Sequence, residues 1–281
     1  DATAFVDEDG EASYREFGLM VAQAMQRLEQ LGLPRGATIA QISENCTWQY
    51  ALMAAAYIGG FRSLTLHTMG GQEDQLYILK DSGAQILVGG PGRIADAARL
   101  AGDVGIACYA HQSDDVVEPF WPNAAASSGL PARAIGNAED IVRLAYTGGT
   151  TGRPKGVMLS NRALVANTLM ALARIEFPAE IRFLCPAPIS HGAGSVVLPT
   201  LVRGGTVILQ RGFSVSRFAE AAKLHRATVS WMVPTMIGAL LDDRELPSGS
   251  LGTIETLIYS GAPMEPARVL EALDRFGEIF V

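Results

Sequence analysis

Tyr146-Thr-Gly-Gly-Thr-Thr-Gly-Arg-Pro-Lys-Gly-Val157 is the stretch on which the reading turns. An apolar run at 141–146 leads into it and is predicted to be a strand, and a helix capped near Ser160 and running to Ile175 is predicted after it. Gly148, Gly149 and Gly152 let backbone amides approach an anion closely, because no Cβ stands in the way. Thr147, Thr150 and Thr151 add hydroxyl donors, and Lys155 adds a compact ammonium suited to phosphate oxygens. Together these residues form an anion cradle between a strand and a helix. It is not a Walker A loop, since no glycine is followed after four residues by Gly-Lys-Ser/Thr. A bare Gly/Thr cluster reads equally as a plain turn; the ordered string, in which each residue type suits phosphate, favours the cradle.

On either side, strand-like and helix-like runs alternate. Ser13-Tyr-Arg-Glu16 is a capping box, and Phe17, Val21, Ala24, Leu28 and Leu31 then recur at helical spacing until Gly32. Strands are predicted at 38–42, 85–88, 104–109, 182–185, 206–209, 228–233 and 256–259. Helices are predicted at 47–58, 72–80, 94–100, 194–202, 216–225, 234–242 and 266–276. The stretch 111–138 has no periodicity and reads as a long excursion. Alternation of this kind implies an α/β fold of mostly parallel strands covered on both faces by helices.

A chain of 281 residues that is 48% hydrophobic and 18% charged buries one large core or two smaller ones. The net charge of −7 argues against nucleic acid or an anionic membrane as a general partner, so a polyanion has to be held locally. Cys46, Cys108 and Cys185 are odd in number and show no metal-ligand spacing, which fits ordinary thiols in a reducing, cytoplasmic setting. No apolar run is long enough to span a bilayer, and no leader pattern stands at the N-terminus. The start at Asp1 and the apolar end at Phe280-Val281 read as cuts within a longer protein.

The string 146–157 resembles the phosphate-binding signature of the adenylate-forming superfamily, which contains acyl-CoA and aryl-CoA synthetases, peptide-synthetase adenylation domains and firefly-type luciferases. It departs from the usual form at Gly148, where serine is commoner, and at Asn161, where histidine often follows the loop. Two further segments are similar to the family's and stand in its order. Pro186-Ala-Pro-Ile-Ser-His191-Gly-Ala-Gly194 resembles the signature bordering the acyl pocket, and Tyr259-Ser-Gly-Ala-Pro-Met264 resembles the turn that packs against adenine. The stretches around Tyr14-Arg-Glu-Phe17 and Tyr77-Ile-Leu-Lys-Asp-Ser-Gly83 are similar as well.

The resemblance implies activation of a carboxylic acid by ATP and Mg2+, then transfer of the acyl group to coenzyme A. Lys155 and His191 become the catalytic candidates. Thr147, Gly148, Gly149, Thr150, Thr151, Gly152 and Lys155, with Ser260, Gly261, Ala262 and Pro263, become the nucleotide-binding set, and Thr151 the hydroxyl on the metal side. His191, Gly192, Ser195 and Trp231 become the acid-binding set; taken alone, Trp231 reads as core and His191 as a surface histidine. The family's Thr-Glu segment, ribose-binding Asp, downstream Arg and C-terminal domain with its catalytic Lys have no counterpart in these residues, so this chain alone is expected to be inactive. The family's layout implies two stacked αβαβα subdomains, one of residues 63–203 and the other of 1–62 with 204–281. A missing β-barrel and C-terminal domain would leave apolar surface and favour a homodimer.

Two rival readings compete. Gly90-Pro-Gly92-Arg-Ile-Ala95 matches a relaxed dinucleotide fingerprint, with Asp114 about twenty residues on, which suits an NAD(P)-binding oxidoreductase. A non-catalytic nucleotide-binding protein of the same fold is the other. A serine hydrolase is disfavoured, because no GxSxG occurs.

Overall fold

All five residues of Thr38–Ile42 are buried, and a strand with no exposed face needs cover on both sides. The computed structural model describes residues 1–111, 117–121, 132–147, 152–246 and 249–281. Its elements run β1 (Thr3–Asp7), β2 (Gly10–Ser13), α1 (Tyr14–Gln30), β3 (Thr38–Ile42), α2 (Thr47–Gly59), β4 (Arg62–Thr65), α3 (Gln72–Asp81), β5 (Ala84–Gly89), α4 (Ile94–Val104) and β6 (Ala107–Ala110). They continue with β7 (Ile141–Thr147), β8 (Lys155–Ser160), α5 (Asn161–Arg174), β9 (Arg182–Cys185), a 3-10 turn at Gly192–Val196, α6 (Val197–Val202), β10 (Thr206–Leu209), α7 (Val215–Leu224), β11 (Val229–Met232), α8 (Pro234–Asp242), β12 (Thr256–Tyr259) and α9 (Pro266–Phe276).

The strands form two six-stranded sheets, ordered β12-β11-β9-β10-β1-β2 and β6-β5-β3-β4-β7-β8. Every pairing is parallel except the two hairpins β1–β2 and β7–β8. The α/β class read from the alternation is therefore the observed one.

The chain divides into a unit of residues 1–14 and 167–281 and a unit of residues 15–166. This differs from the division expected at 62/63 and 203/204, and strand pairing is the reason. β3 lies before residue 63 yet bonds β4 and β5, so it belongs with the phosphate-loop strands. β9 lies before residue 204 yet bonds β10 and β11.

In the unit 15–166, alternation along β3 divides the core into two layers. Ile39 joins Val21, Leu28, Leu52 and Phe120 on one face, whereas Ala40 and Ile42 join Leu64, Leu79, Leu87 and Leu100 on the other. The other unit packs Val6, Leu184, Ile208, Phe218, Met232 and Leu257 into one core cluster. There β1 bonds β10 directly, and the Tyr14 hydroxyl donates to the Gly205 carbonyl at 2.7 Å. Residues from the two ends of the sequence thus share one sheet.

Several elements differ from the spacing-based expectation. β8 lies where the continuation of the glycine loop was expected. α4 extends to Val104 and β6 begins only at Ala107, so 104–109 is not one strand. Residues 192–202 are a 3-10 turn followed by a short helix, because Gly192 and Gly194 sit at the head of the segment, where an α-helix starts poorly. Of the expected excursion at 111–138, residues 112–116 and 122–131, and with them Asp114, lie outside the described residues.

Candidate active site

β7 and β8 pair antiparallel with Tyr146 opposite Gly156 and Thr147 opposite Lys155. β7 and β8 therefore form a hairpin whose last rung among the described residues is the Thr147–Lys155 pair. Lys155 begins a strand rather than ending a loop. Its side chain is exposed and, among the described residues, makes no ion pair. Gly152 has φ of +152°, and a Cβ there would meet nothing within 4 Å, so its backbone is open to an incoming group. Gly148, Gly149, Thr150 and Thr151 lie outside the described residues.

Behind the hairpin stands a group to which the sequence, although it marked the stretch Tyr77 to Gly83, assigned no role. The Tyr146 hydroxyl donates to Asp81 Oδ2 at 2.6 Å, and the Tyr77 hydroxyl reaches Asp81 Oδ1 at 3.3 Å. The Arg153 guanidinium lies 5.3 Å from the centroid of the Tyr77 ring. An aspartate near a helix end reads from sequence as solvated, and a partner 65 positions away leaves no local signal.

In the unit 1–14 with 167–281, β12, β11 and β9 are adjacent and parallel, so their carboxyl ends lie side by side. Ligands of open α/β sheets bind beyond those ends. The β9 end leads into Pro186 and on to His191; the β12 end leads into Ser260, Gly261, Ala262 and Pro263. Two segments about seventy residues apart in sequence, which carried the second and third resemblances, thus leave neighbouring parts of one sheet edge. His191 is exposed, and Ser190 Oγ lies 2.8 Å from its Nδ1. The Ser195 hydroxyl donates to the Gly192 carbonyl at 2.6 Å, which turns it back onto its own segment. Trp231 is buried, and its ring lies against the Gly192 backbone: a Cβ on residue 192 would come 2.5 Å from Trp231 Cζ2. The structure thereby brings Gly192 and Trp231 together, with His191 and Ser195 on the same segment. Ser260, Gly261, Ala262 and Pro263 are exposed, with the Ser260 amide donating to the Met232 carbonyl at 3.2 Å and Gly261 at φ of +96°.

The AMP-binding enzyme family matches residues 1–281, the whole chain. The chain belongs to the AMP-binding enzyme family. It is 30% identical over 277 residues to a medium/long-chain-fatty-acid–CoA ligase, FadD8, of Mycobacterium tuberculosis, with 92% of this chain and 47% of that protein covered. It is 31% identical over 265 residues to a feruloyl-CoA synthase of an Amycolatopsis species, with 94% and 52% covered. Among solved structures it is similar to the amide bond synthetase McbA from Marinactinospora thermotolerans, with a TM-score of 0.90, 28% identity and coverage of 99% of this chain and 56% of that one. ATP-bound MatB from Rhodopseudomonas palustris superposes with a TM-score of 0.85 at 26% identity, covering 99% of this chain and 56% of that one. The chain spans about half the length of the curated relatives it matches.

For this member of the AMP-binding family, the dinucleotide reading of Gly90 to Ala95 meets two obstacles. A Cβ on Gly90 would stand 2.0 Å from Ser43 Oγ, so the space this glycine opens is filled by the protein itself. The Glu44 carboxylate lies against Gly92, within 3.5 Å of a Cβ built there, and would repel a pyrophosphate. The same glycine-rich turn, with Gly89 packed against Ala97 and Ile94, serves strand–helix contact instead.

Among the described residues no group of three or more His, Cys, Asp or Glu is placed to hold a metal ion, and no helix is long and apolar enough to cross a membrane. The three cysteines are free thiols. Burial raises the Cys108 thiol to about 11 and raises Cys185 further, which makes both poor nucleophiles at neutral pH.

Proposed function

We propose that the protein carrying this chain uses ATP to activate a carboxylic acid and then transfers the acyl group to coenzyme A. A carboxylate oxygen bonds to the α-phosphorus as the bond from that phosphorus to the bridging oxygen of pyrophosphate breaks. A thiol then bonds to the acyl carbon, and AMP leaves with the former carboxylate oxygen. The observation that carries the proposal is Lys155: an exposed ammonium with no ion-pair partner among the described residues, at the mouth of a hairpin whose connection is rich in glycine and threonine. Such a cation and the amides of a glycine-rich turn offset the charge that grows on departing pyrophosphate.

In this reading Thr147, Gly148, Gly149, Thr150, Thr151 and Gly152 join Lys155 around the β- and γ-phosphates. Ser260, Gly261, Ala262 and Pro263 border the adenine. Magnesium, when bound, would neutralise phosphate charge, and the Thr151 hydroxyl is the group of this chain proposed to stand on its side. His191, Gly192, Ser195 and Trp231 border the acid.

Residues 190–202 contain no Asp or Glu, so an α-ammonium placed there would have no counter-charge in that segment, and a fatty or aromatic acid is favoured over an amino acid. The names of the relatives, a fatty-acid ligase and a feruloyl-CoA synthase, support the same two classes. Because relatives are about twice as long, the 281-residue chain alone is proposed to bind nucleotide weakly and not to adenylate.

ATP–pyrophosphate exchange with decanoate, ferulate and the common amino acids tests the proposal in the intact protein. Exchange with one of the two acids, depressed at least ~100-fold in Lys155→Ala with the fold retained, is the expected result. Exchange driven best by an amino acid would overturn the acid class, and unchanged kinetics in Lys155→Ala would overturn the phosphate seat.

A further inference from the structure

We propose that Asp81 is a positioning residue for the triphosphate, tying both flanks of the glycine/threonine connection to the end of α3; this rests on the phosphate-seat reading of that hairpin. Tyr146 is the last residue but one of β7, and its hydroxyl ends on Asp81 Oδ2 at 2.6 Å. Arg153, on the other side of the connection, lies on the ring of Tyr77, whose hydroxyl ends on Asp81 Oδ1 at 3.3 Å. Pro154 beside it is buried. One carboxylate, with one oxygen for each phenol, therefore references the end of β7 and Arg153, two residues before β8, to a single point.

Three features show that this is more than a surface contact. Tyr77 and Asp81 stand four apart on one helix, the spacing that brings side chains together. Asp81 is the last residue of α3, where a carboxylate faces the negative pole of the helix. Helix stability alone disfavours an acid there, so the two phenols supply the reason for its presence. Finally, Tyr146 lies over its cross-strand partner Gly156, where a Cβ would come 2.9 Å from Tyr146 Cζ. The absent side chain beside Lys155 is what lets the ring reach across toward α3. Burial and the Asp81 carboxylate both push the Tyr146 phenol up, so its hydroxyl stays the donor.

The test is steady-state exchange in the intact protein with decanoate or ferulate, comparing Asp81→Ala, Asp81→Asn, Tyr146→Phe and Lys155→Ala. Asp81→Ala and Tyr146→Phe are expected to raise KM for MgATP about tenfold and to leave KM for the acid within about twofold. Asp81→Asn keeps an acceptor oxygen and is expected to recover to within about threefold of the parent. A fall in kcat with both KM values unchanged, or an Asn variant no better than Ala, would show a merely structural role and overturn the proposal. Weakened MgATP use in Lys155→Ala with a parental KM in Asp81→Ala would sink the positioning role alone. An unchanged Lys155→Ala would remove the phosphate seat and this inference with it. Should Asp81→Ala fail to fold, Tyr146→Phe, which lacks one oxygen, decides the matter.

Discussion

The ring of Trp231 occupies the place where a side chain on residue 192 would be, with Cζ2 only 2.5 Å from a Cβ built there. Trp231 is buried on β11, so Gly192→Ala forces either the ring or the 3-10 turn to move. Overpacking of this kind costs about 1–3 kcal/mol. Gly192→Ala is therefore expected to lower stability by that amount and to raise KM for the acid more than KM for MgATP. Pairing it with Trp231→Leu, which removes the obstructing ring, should recover at least ~1 kcal/mol relative to the sum of the single effects. Urea denaturation of the four proteins measures this, and additivity within about 0.3 kcal/mol would mean that the contact does not explain the glycine.

His111 supplies a pH prediction. It is buried, Cys46 Sγ lies 3.7 Å from its Nδ1, and the Trp121 ring stands edge-on at 5.3 Å. Burial lowers its pKa from the ordinary 6.5 to about 3. Between those values the unfolded chain binds a proton that the folded chain refuses, so stability is complete above about pH 6.5 and falls as the pH drops toward 3. From pH 7 to pH 5 the loss from this residue is about 2 kcal/mol. His67 and His225 are shifted the same way by burial, so the quantity to measure is the difference between the parent and His111→Phe in urea midpoint at pH 7, 6 and 5. Parallel curves for the two proteins would refute the assignment.

Legibility from sequence followed the range of the interactions. Thr38–Ile42, Arg182–Cys185, Thr206–Leu209 and Thr256–Tyr259 were readable as strands because each is a short apolar run with breakers nearby. Pro234–Asp242 and Pro266–Phe276 were readable because proline opens each of them. β2, Gly-Glu-Ala-Ser, has no apolar pattern, and it is a strand because β1 lies beside it. β8 is largely exposed and begins inside the glycine-rich string, so only its pairing with β7 makes it a strand. The site shows the same divide. Residue types that suit phosphate were visible in one string, whereas Asp81 behind it, Ser43 against Gly90 and Trp231 against Gly192 arise from contacts across 39 to 65 positions.

Thiol reactivity follows from burial. Cys46 and Cys185 are buried and Cys108 is half-buried with its pKa raised to about 11. An aromatic disulfide reagent at pH 7.5 is therefore expected to label the native protein slowly, with Cys108 first, and all three thiols rapidly in denaturant. Mass-mapped labelling checks the order. Rapid native labelling of Cys46 or Cys185 would contradict the packing of β9 and of the start of α2.

Arg275 on α9 reaches the end of α8. Its two terminal nitrogens donate to the carbonyls of Leu240 at 3.0 Å, Leu241 at 2.7 Å, Asp243 at 2.7 Å and Leu246 at 3.2 Å. The last carbonyls of a helix have no partner within it, and α8 ends at Asp242, so this guanidinium serves as its C-terminal cap. It also places a positive charge at the negative pole of that helix. Arg275→Met keeps the apolar stem and removes every donor; the expected loss is about 2–4 kcal/mol, since bonds from a charged donor contribute more than neutral ones. Arg275→Lys keeps the charge but has one compact ammonium in place of the planar fork, so it should recover only about half. Neither substitution touches the acid or nucleotide segments, so KM values should stay within about twofold while the urea midpoint falls. A Met variant within about 0.5 kcal/mol of the parent would show that water satisfies those carbonyls as well as the arginine does.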